Sequence, residues 1–444
     1  MNVEKVLNNT LEFDVSKHIE NPSNVQIGKL VRSLKAGEIK SIDKIAHLVY
    51  MGIAAQERDG IFPYNRYMKN GSGVVSAVVS NNRTERKDCI VWSSNHYLGL
   101  NRHPDVINYA VKILQENGTG CGTSAVSGGF SSVHKELERE LASLCGKPEA
   151  VLFATGYTTN LGTISSLAGK GDLILIDRDI HASIIDGSIM SKADLRIFKH
   201  NDPYHLEKLL KSAREKKYNN IFVITESVFS MTGEEAPLLD YCRLKEKYGF
   251  LLYVDEAHSF GFYGNKGAGF CDHIGCSGKV DFFMSTLSKA TASVGGFIGS
   301  EKHYCSYLRV NSNPYLFQAC LTPVDAAVTV AALKVIRTDG SIAKRLWNNT
   351  RLFRRLLVER GFFVGKGTSP IVPLFVSDEA KLSVLCKRLF ENNIFTNWVS
   401  YPVVPRKKGR LRFLVTASHT EEQIGRTVSV LTKLSDEIGI IRNG

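Results

Sequence analysis

From about residue 104 onward, short β-branched or aromatic runs alternate with longer segments in which apolar residues recur every three or four positions. The runs are Val151-Leu152-Phe153, Leu173-Ile174-Leu175-Ile176, Leu195-Arg196-Ile197-Phe198, Ile221-Phe222-Val223-Ile224, Phe250 to Val254, Phe282-Phe283-Met284 and Phe297-Ile298. Between them lie helical patterns such as Ser132–Cys145, where Val133, Leu137, Leu141 and Leu144 share one face, and 206–216. Alternation of this kind predicts an α/β fold with a mostly parallel central sheet and helices on both faces. After about residue 325 the rhythm changes. Residues 326–335 and 342–360 read as helices, Ile371–Phe375 and 411–415 as strands, and Glu421–Ile438 as a last helix, which together suggest a smaller α+β lobe. The first 70 residues are mixed, with 29–51 the best helical stretch. Asn70-Gly71-Ser72-Gly73 and Asn81-Asn82-Arg83 read as hairpin or linker turns. The expected division is an N-terminal extension over 1–70, a large α/β domain with its lead-in over 71–325, and a small C-terminal domain over 326–444.

A length of 444 residues fits two lobes around a shared cleft, and 43% hydrophobic residues suffice for a large core. The net charge of +12 favours polyanionic or phosphorylated partners. No basic run is interleaved with aromatics in the manner of a nucleic-acid groove, so Lys211 to Lys217 and Arg406-Lys407-Lys408 read first as solvated surface. The nine cysteines are scattered and none forms a C-x-x-C pair; Cys271 and Cys276 are the nearest spacing, and no metal site is expected. They read as free thiols of a reducing compartment. Met1 to Asp14 carries Glu4, Glu12 and Asp14 without a long apolar centre, and no run of about 18 apolar residues occurs anywhere. The expectation is a cytoplasmic protein with no transmembrane segment and no nucleic-acid partner.

In open α/β sheets, ligands bind beyond the carboxyl ends of the strands. The residues just past each run are therefore the candidates for chemistry. After Phe153 comes Ala154-Thr155-Gly156-Tyr157, a turn that exposes backbone N–H groups at a helix start and suits a phosphate as well as a plain tight turn. After Ile176 comes Asp177-Arg178-Asp179-Ile180-His181; after Ile224 comes Thr225-Glu226-Ser227-Val228-Phe229-Ser230, where hydroxyls can simply cap turns. After Val254 comes Asp255-Glu256-Ala257-His258, and a buried Asp there needs a cationic partner such as a protonated pyridine nitrogen. After Met284 comes Ser285-Thr286-Leu287-Ser288-Lys289, then Ser293-Val294-Gly295-Gly296. A lysine among small residues at a strand end is poised to reach into the cleft. Partial burial lowers its pKa toward the neutral form that reacts with aldehydes. A phosphate turn, a ring-level His, an Asp, a second His and a Lys are together the set that pyridoxal phosphate (PLP) needs.

The chain resembles the α-oxoamine synthase family of PLP-dependent enzymes, over about 93–438. The resemblance is carried by Ser94-Asn95-His96-Tyr97-Leu98-Gly99-Leu100, and by Gly118-Thr119-Gly120 leading to Gly128 and His134. It continues in Asp177 to Gly187, Glu226 to Met231, Val254 to Gly261, Thr286-Leu287-Ser288-Lys289, Tyr401-Pro402-Val403-Val404-Pro405 and Gly409-Arg410-Leu411-Arg412. It implies the aminotransferase-like PLP fold and a role for each matched residue. Lys289 holds the cofactor as a Schiff base and later removes the substrate α-proton. Asp255 pairs with the ring nitrogen, His181 stacks on the ring, and His258 and Ser230 lie near the ring hydroxyl. The backbone at Gly156 and Tyr157, with the Thr286 hydroxyl, binds phosphate. Arg412 holds the amino-acid carboxylate, Asn95 lies near the substrate, and Arg410 reads as a solvated strand arginine.

The implied reaction joins a small amino acid to an acyl thioester, on CoA or an acyl carrier protein, usually with loss of carbon dioxide, to give an α-amino ketone. A homodimer with active sites at the subunit interface is implied too. Two departures from the family pattern stand out. Phe317-Gln318-Ala319-Cys320-Leu321-Thr322-Pro323 replaces the usual Ser or Thr that reaches the partner's phosphate, and Gly122 to Gly128 lacks an arginine common in several branches. Rival readings are another PLP reaction on the same fold, such as transamination or aldol cleavage, and a non-catalytic partner subunit, against which Lys289 argues.

Overall fold

The computed structural model describes residues 41–440 apart from 61, 63, 82, 401–403, 405 and 406. The expected helix over 29–51 lies partly outside these residues; the described helix is Ile42–Arg58, capped by the Ser41 hydroxyl, which accepts from the Lys44 N–H. The Tyr401 to Pro405 motif also lies largely outside them.

Fourteen strands are described, in three sheets. β1 (Tyr67–Met68), β2 (Val75–Val79) and β3 (Glu85–Val91) form a meander through the two glycine- and asparagine-rich turns, with Arg83 at φ 63° in the second. The large sheet contains β4 (Glu149–Phe153), β5 (Leu173–Asp177), β6 (Asp194–Phe198), β7 (Ile221–Glu226), β8 (Leu251–Asp255), β9 (Phe282–Thr286) and β10 (Gly296–Ser300), in the order β4-β10-β9-β8-β7-β5-β6. β10 runs antiparallel to both of its neighbours, and the other contiguous pairs are parallel. β5 and β9 are buried at every position, which is why they read as unbroken apolar runs rather than alternating ones; β6 sits at the edge and is half exposed.

The C-terminal part holds β11 (Ile371–Phe375), β12 (Ile394–Phe395), β13 (Asn397–Val399) and β14 (Arg410–Leu414). β11, β14 and β13 form an antiparallel sheet, while β12 pairs in parallel with β3. The hairpin ahead of the large sheet is thus hydrogen-bonded to the C-terminal portion. Trp92 locks that junction: it is fully buried, stacks on Phe353 and His419, and donates its indole N–H to the Thr427 hydroxyl at 3.1 Å.

Register decides where the site falls. Gly296 lies opposite both Phe153 and Thr286, Asp255 opposite Met284, and Glu226 opposite Asp255. The ends of β4, β5, β7, β8 and β9, and the start of β10, therefore share one edge of the sheet.

Candidate active site

That edge opens into a cleft of about 340 Å³. Its lining includes Gly156, Tyr157, Asn160, His181, Glu226, Asp255, His258, Thr286, Ser288 and Lys289. Seven of the ten sequence-predicted residues meet here, although they are spread over more than a hundred positions of the chain.

The helix Gly156–Leu167 begins at the cleft, with Thr155 as N-cap accepting from the Thr158 N–H at 3.1 Å. Its first turn directs free backbone N–H groups and the positive end of the helix dipole at the site. Gly156 is pressed against β9: a Cβ there would lie 2.7 Å from both Cβ and Oγ1 of Thr286. The Thr286 hydroxyl is shared with Ser288 Oγ at 2.9 Å and the Gly295 carbonyl at 3.0 Å. N–H groups, two hydroxyls and a glycine that lets the backbone approach make a cradle for a phosphate.

At the floor, Asp255 is 5% exposed. Its Oδ1 accepts from the Ala257 N–H at 2.9 Å, and its Oδ2 accepts from Asn160 Nδ2 at 2.9 Å. Asn160 also donates to Ser183 Oγ at 3.0 Å and accepts from the Tyr253 hydroxyl at 2.6 Å. Sequence reasoning misses Asn160. It stands four residues after Gly156, one helical turn deeper on the same face, and that spacing is the only available signal.

Lys289 is half-buried beside two carboxyl groups. Burial pulls its pKa down to about 8, against the opposing pull of Asp255 and Glu226, while Arg412 helps to lower it. Glu226, also missed, is 3% exposed; burial and then the charge of Asp255 push it up to about 8. Its Oε2 accepts from the Ser230 N–H at 3.3 Å, whereas Oε1 is buried without a partner.

His181 caps the helix Ala182–Ser191 and bonds the Ser183 hydroxyl at 2.7 Å through Nδ1. Its ring stays exposed, with Tyr157 edge-on at 6.1 Å. Desolvation by its surroundings lowers its pKa, against the opposing pull of Asp255 and with the help of Lys289. His258 is buried and its Nδ1 is 2.7 Å from the Tyr97 hydroxyl. Burial first, then Lys289, Arg412 and His181, keep His258 far below the usual range. Along the chain, Tyr97 carries no signal beyond its place in the Ser94 to Leu100 motif.

Ser230, Asn95 and Arg412 stand outside the cleft lining but next to one another. Arg412 Nε donates to the Ser230 carbonyl at 2.6 Å, and Nη2 donates to Asn95 Oδ1 at 3.3 Å. Ser230 thus contributes its carbonyl and N–H here, rather than its hydroxyl. Arg410 departs from expectation: it is 4% exposed, stacks over Phe375 at 4.6 Å and donates to the Met231 carbonyl. The reason is tertiary, since β14 is the central strand of its sheet and the 230s loop covers that side.

These residues fit PLP. The cradle takes a phosphate, Asp255 is a buried carboxylate oriented by two donors, Lys289 is a partly neutral amine between them, and Glu226 Oε1 is an orphaned buried oxygen facing the same group of charges.

Comparisons with known proteins agree with the geometry. The aminotransferase class I and II profile matches residues 87–431. The chain is 40% identical over 355 residues to the 8-amino-7-oxononanoate synthase of Treponema denticola, covering 80% of this chain and 90% of that one. It is 37% identical over 374 residues to the serine palmitoyltransferase of Bacteroides thetaiotaomicron, covering 84% and 93%. Among solved structures, Sphingomonas wittichii serine palmitoyltransferase superposes with a TM-score of 0.85 at 31% identity, covering 91% of this chain and 100% of that one. A lysine-to-alanine variant of the serine palmitoyltransferase from S. paucimobilis, with a bound PLP–myriocin aldimine, gives the same TM-score, identity and coverage. The chain belongs to the aminotransferase class I and II family, in the α-oxoamine synthase branch of PLP-dependent acyltransferases.

Proposed function

We propose that the cleft condenses a small amino acid with an acyl thioester, releasing a thiol, carbon dioxide and an α-amino ketone, and that Lys289 carries both the cofactor and the proton transfer. The observation that carries this is the placement of Lys289 between Asp255 and Glu226 at the end of β9, with its pKa lowered to about 8. An amine that is partly neutral at physiological pH can take a proton from carbon; a solvated lysine cannot do so to any useful extent. When bound, PLP supplies an electron sink for the negative charge that develops on the substrate carbon.

The remaining roles belong to the chain's own groups. The first turn of the helix Gly156–Leu167, with Thr286 and Ser288, holds the phosphate. Asp255, kept in place by Asn160 and Ala257, keeps the ring nitrogen protonated. His181, fixed by Ser183, would stack on the ring and limit the access of water to it. His258, kept neutral by burial and anchored by Tyr97, would meet the ring hydroxyl, and Glu226, raised to about 8 by burial and Asp255, would be able to donate a hydrogen bond within the cleft. Arg412, whose guanidinium is oriented by Ser230 and Asn95, binds the amino-acid carboxylate. The basic balance of the chain suits the phosphates of CoA or an acidic carrier protein.

A homodimer is part of the proposal. Val294 lines the cleft and is 48% exposed, and Phe317 and Val126, on elements packed against each other, are 81% and 52% exposed. Apolar surface of that extent beside an active site suits burial by a second copy. No helix among the described residues is long and apolar enough to cross a membrane.

The test is product analysis. Purified enzyme with PLP is given a panel of amino acids and acyl thioesters, and thiol release and carbon dioxide are followed. Thiol release that requires both substrates is expected. Amino-group transfer without thioester, or thiol release without amino acid, would overturn the reading. Light scattering should give twice the chain mass.

A further inference from the structure

Away from the cleft, three metal-ligating side chains converge that no spacing rule links. Cys121 lies in the glycine-rich loop after residue 117, His134 in the first turn of the helix Ser132–Cys145, and Cys320 in the stretch before the helix Pro323–Thr338. The two sulfur atoms and one imidazole nitrogen all lie within 4.8 Å of one another. The Leu321 carbonyl sits among them, 2.6 Å from His134 Nε2 and 3.1 Å from Cys121 Sγ. An ordinary thiol is protonated at pH 7, so both sulfur atoms carry a proton when no cation is present. Glu138, one turn along the same helix face as His134, is 6% exposed and is neutralised through its Oε2 by Arg309 at 3.2 Å and Lys135 at 3.3 Å.

We propose that Cys121, His134 and Cys320 bind a soft divalent cation of the zinc class, with a fourth position left to water. Two thiolates and a neutral imidazole are a donor set this ion favours, and three protein ligands leave the complex electrically neutral. The balance is simple: two thiol protons leave to solvent and two metal–sulfur bonds form, with no change of oxidation state. His134 must change tautomer. In the free site, Nδ1 accepts from the Ser131 N–H at 3.1 Å and Nε2–H points at Leu321; in the occupied site, Nδ1–H donates to Ser131 Oγ, 2.8 Å away, and Nε2 takes the metal. Two backbone hydrogen bonds are given up, from the Ser131 N–H to Nδ1 and from Nε2–H to the Leu321 carbonyl, which must turn aside to admit the ion, and the Ser131 hydroxyl becomes the supporting contact that orients a ligating histidine. The bound ion would tie the 118–129 loop to the 318–322 segment, two stretches already joined by the Cys320 N–H to the Thr123 carbonyl.

The experiment uses reduced, PLP-loaded enzyme freed of metal by dialysis against chelator. Zinc is titrated in competition with a chromophoric chelator, and accessible thiols are counted with a disulfide reagent before and after. The expected result is one zinc per chain with two thiols protected. Cys121→Ser and Cys320→Ser should each weaken binding at least about 100-fold, the upper end of what loss of a mere supporting contact does. Cofactor absorbance of each variant confirms that it is folded, and His134→Gln is the third arm. Absence of stoichiometric binding, or binding retained when both cysteines are serine, overturns the proposal. So does a Cys121–Cys320 disulfide in the isolated protein with no zinc affinity after reduction.

Discussion

Asn160 gives the sharpest test of how the cleft is held. Asn160→Ala removes three hydrogen bonds from one buried point: to Asp255 at 2.9 Å, to Ser183 at 3.0 Å and from Tyr253 at 2.6 Å. Alanine is a good helix former, so the helix Gly156–Leu167 itself is not the casualty. Tyr253 is 1% exposed and its hydroxyl loses its acceptor, which costs about 1–3 kcal/mol, because water cannot reach it freely. Asp255 keeps only the Ala257 N–H, and a charge-assisted bond of this type contributes about 1.5–3 kcal/mol. The folded state without cofactor should therefore lose roughly 2.5–6 kcal/mol, read as a lower urea midpoint. A carboxylate free to turn pairs less well with a ring nitrogen. PLP affinity, followed by quenching of protein fluorescence, should fall about 10- to 100-fold, equivalent to about 1.4–2.8 kcal/mol. Asn160→Asp should bind PLP more weakly still, since it sets a like charge against Asp255. A change below about 0.5 kcal/mol together with unaltered PLP affinity would refute the idea that Asn160 positions Asp255.

The same geometry sets further expectations. Arg412→Ala should raise the amino-acid dissociation constant by about 100-fold while PLP binding stays within about twofold, both measured by spectral titration; unchanged amino-acid affinity would remove Arg412 from the substrate site. Gly156→Ala places a methyl group 2.7 Å from Thr286, well inside ordinary contact, so PLP and inorganic phosphate should both bind at least about tenfold more weakly, with near-native circular dichroism. The rate of PLP uptake by cofactor-free enzyme should climb roughly 15-fold between pH 6.5 and 8 and level off above about 9, because the neutral fraction of Lys289 grows through a pKa of about 8; a flat profile would contradict the lowered pKa. His200 is held between Asp177 and Glu234; burial opposes its charge, but these two hydrogen bonds prevail and raise it to about 9. Its folded pKa lies above the unfolded value, so its contribution is complete below about pH 6.5 and disappears as pH rises through about 9. His200→Gln should lower the melting temperature at pH 6 and match the parent enzyme near pH 10.

The alternation of apolar runs and amphipathic helices is enough to place the strands of the large sheet, because strands buried on both faces must be apolar throughout. It also identifies the strand ends where chemistry belongs, and so Gly156, His181, Asp255, His258, Thr286 and Lys289. Periodicity cannot reveal β1, β2 and β3, which are short and mixed in composition, nor that β3 pairs with β12 some three hundred positions later. Such pairing depends on backbone groups that every sequence offers. Arg410 reads wrongly as solvated because its cover comes from the 230s loop, which local pattern cannot anticipate.

The order of elements and the residue types at the strand ends were determined by the sequence alone, since burial and turn chemistry act over a few neighbours. Partnerships were decided only by the tertiary structure. Asn160 meets Asp255 across 95 positions, Tyr97 meets His258 across 161, and Cys121 and His134 meet the Cys320 segment across about two hundred. Those contacts exist because strand register sets several carboxyl ends level with one another, and close packing then brings together side chains whose spacing along the chain carries no signal.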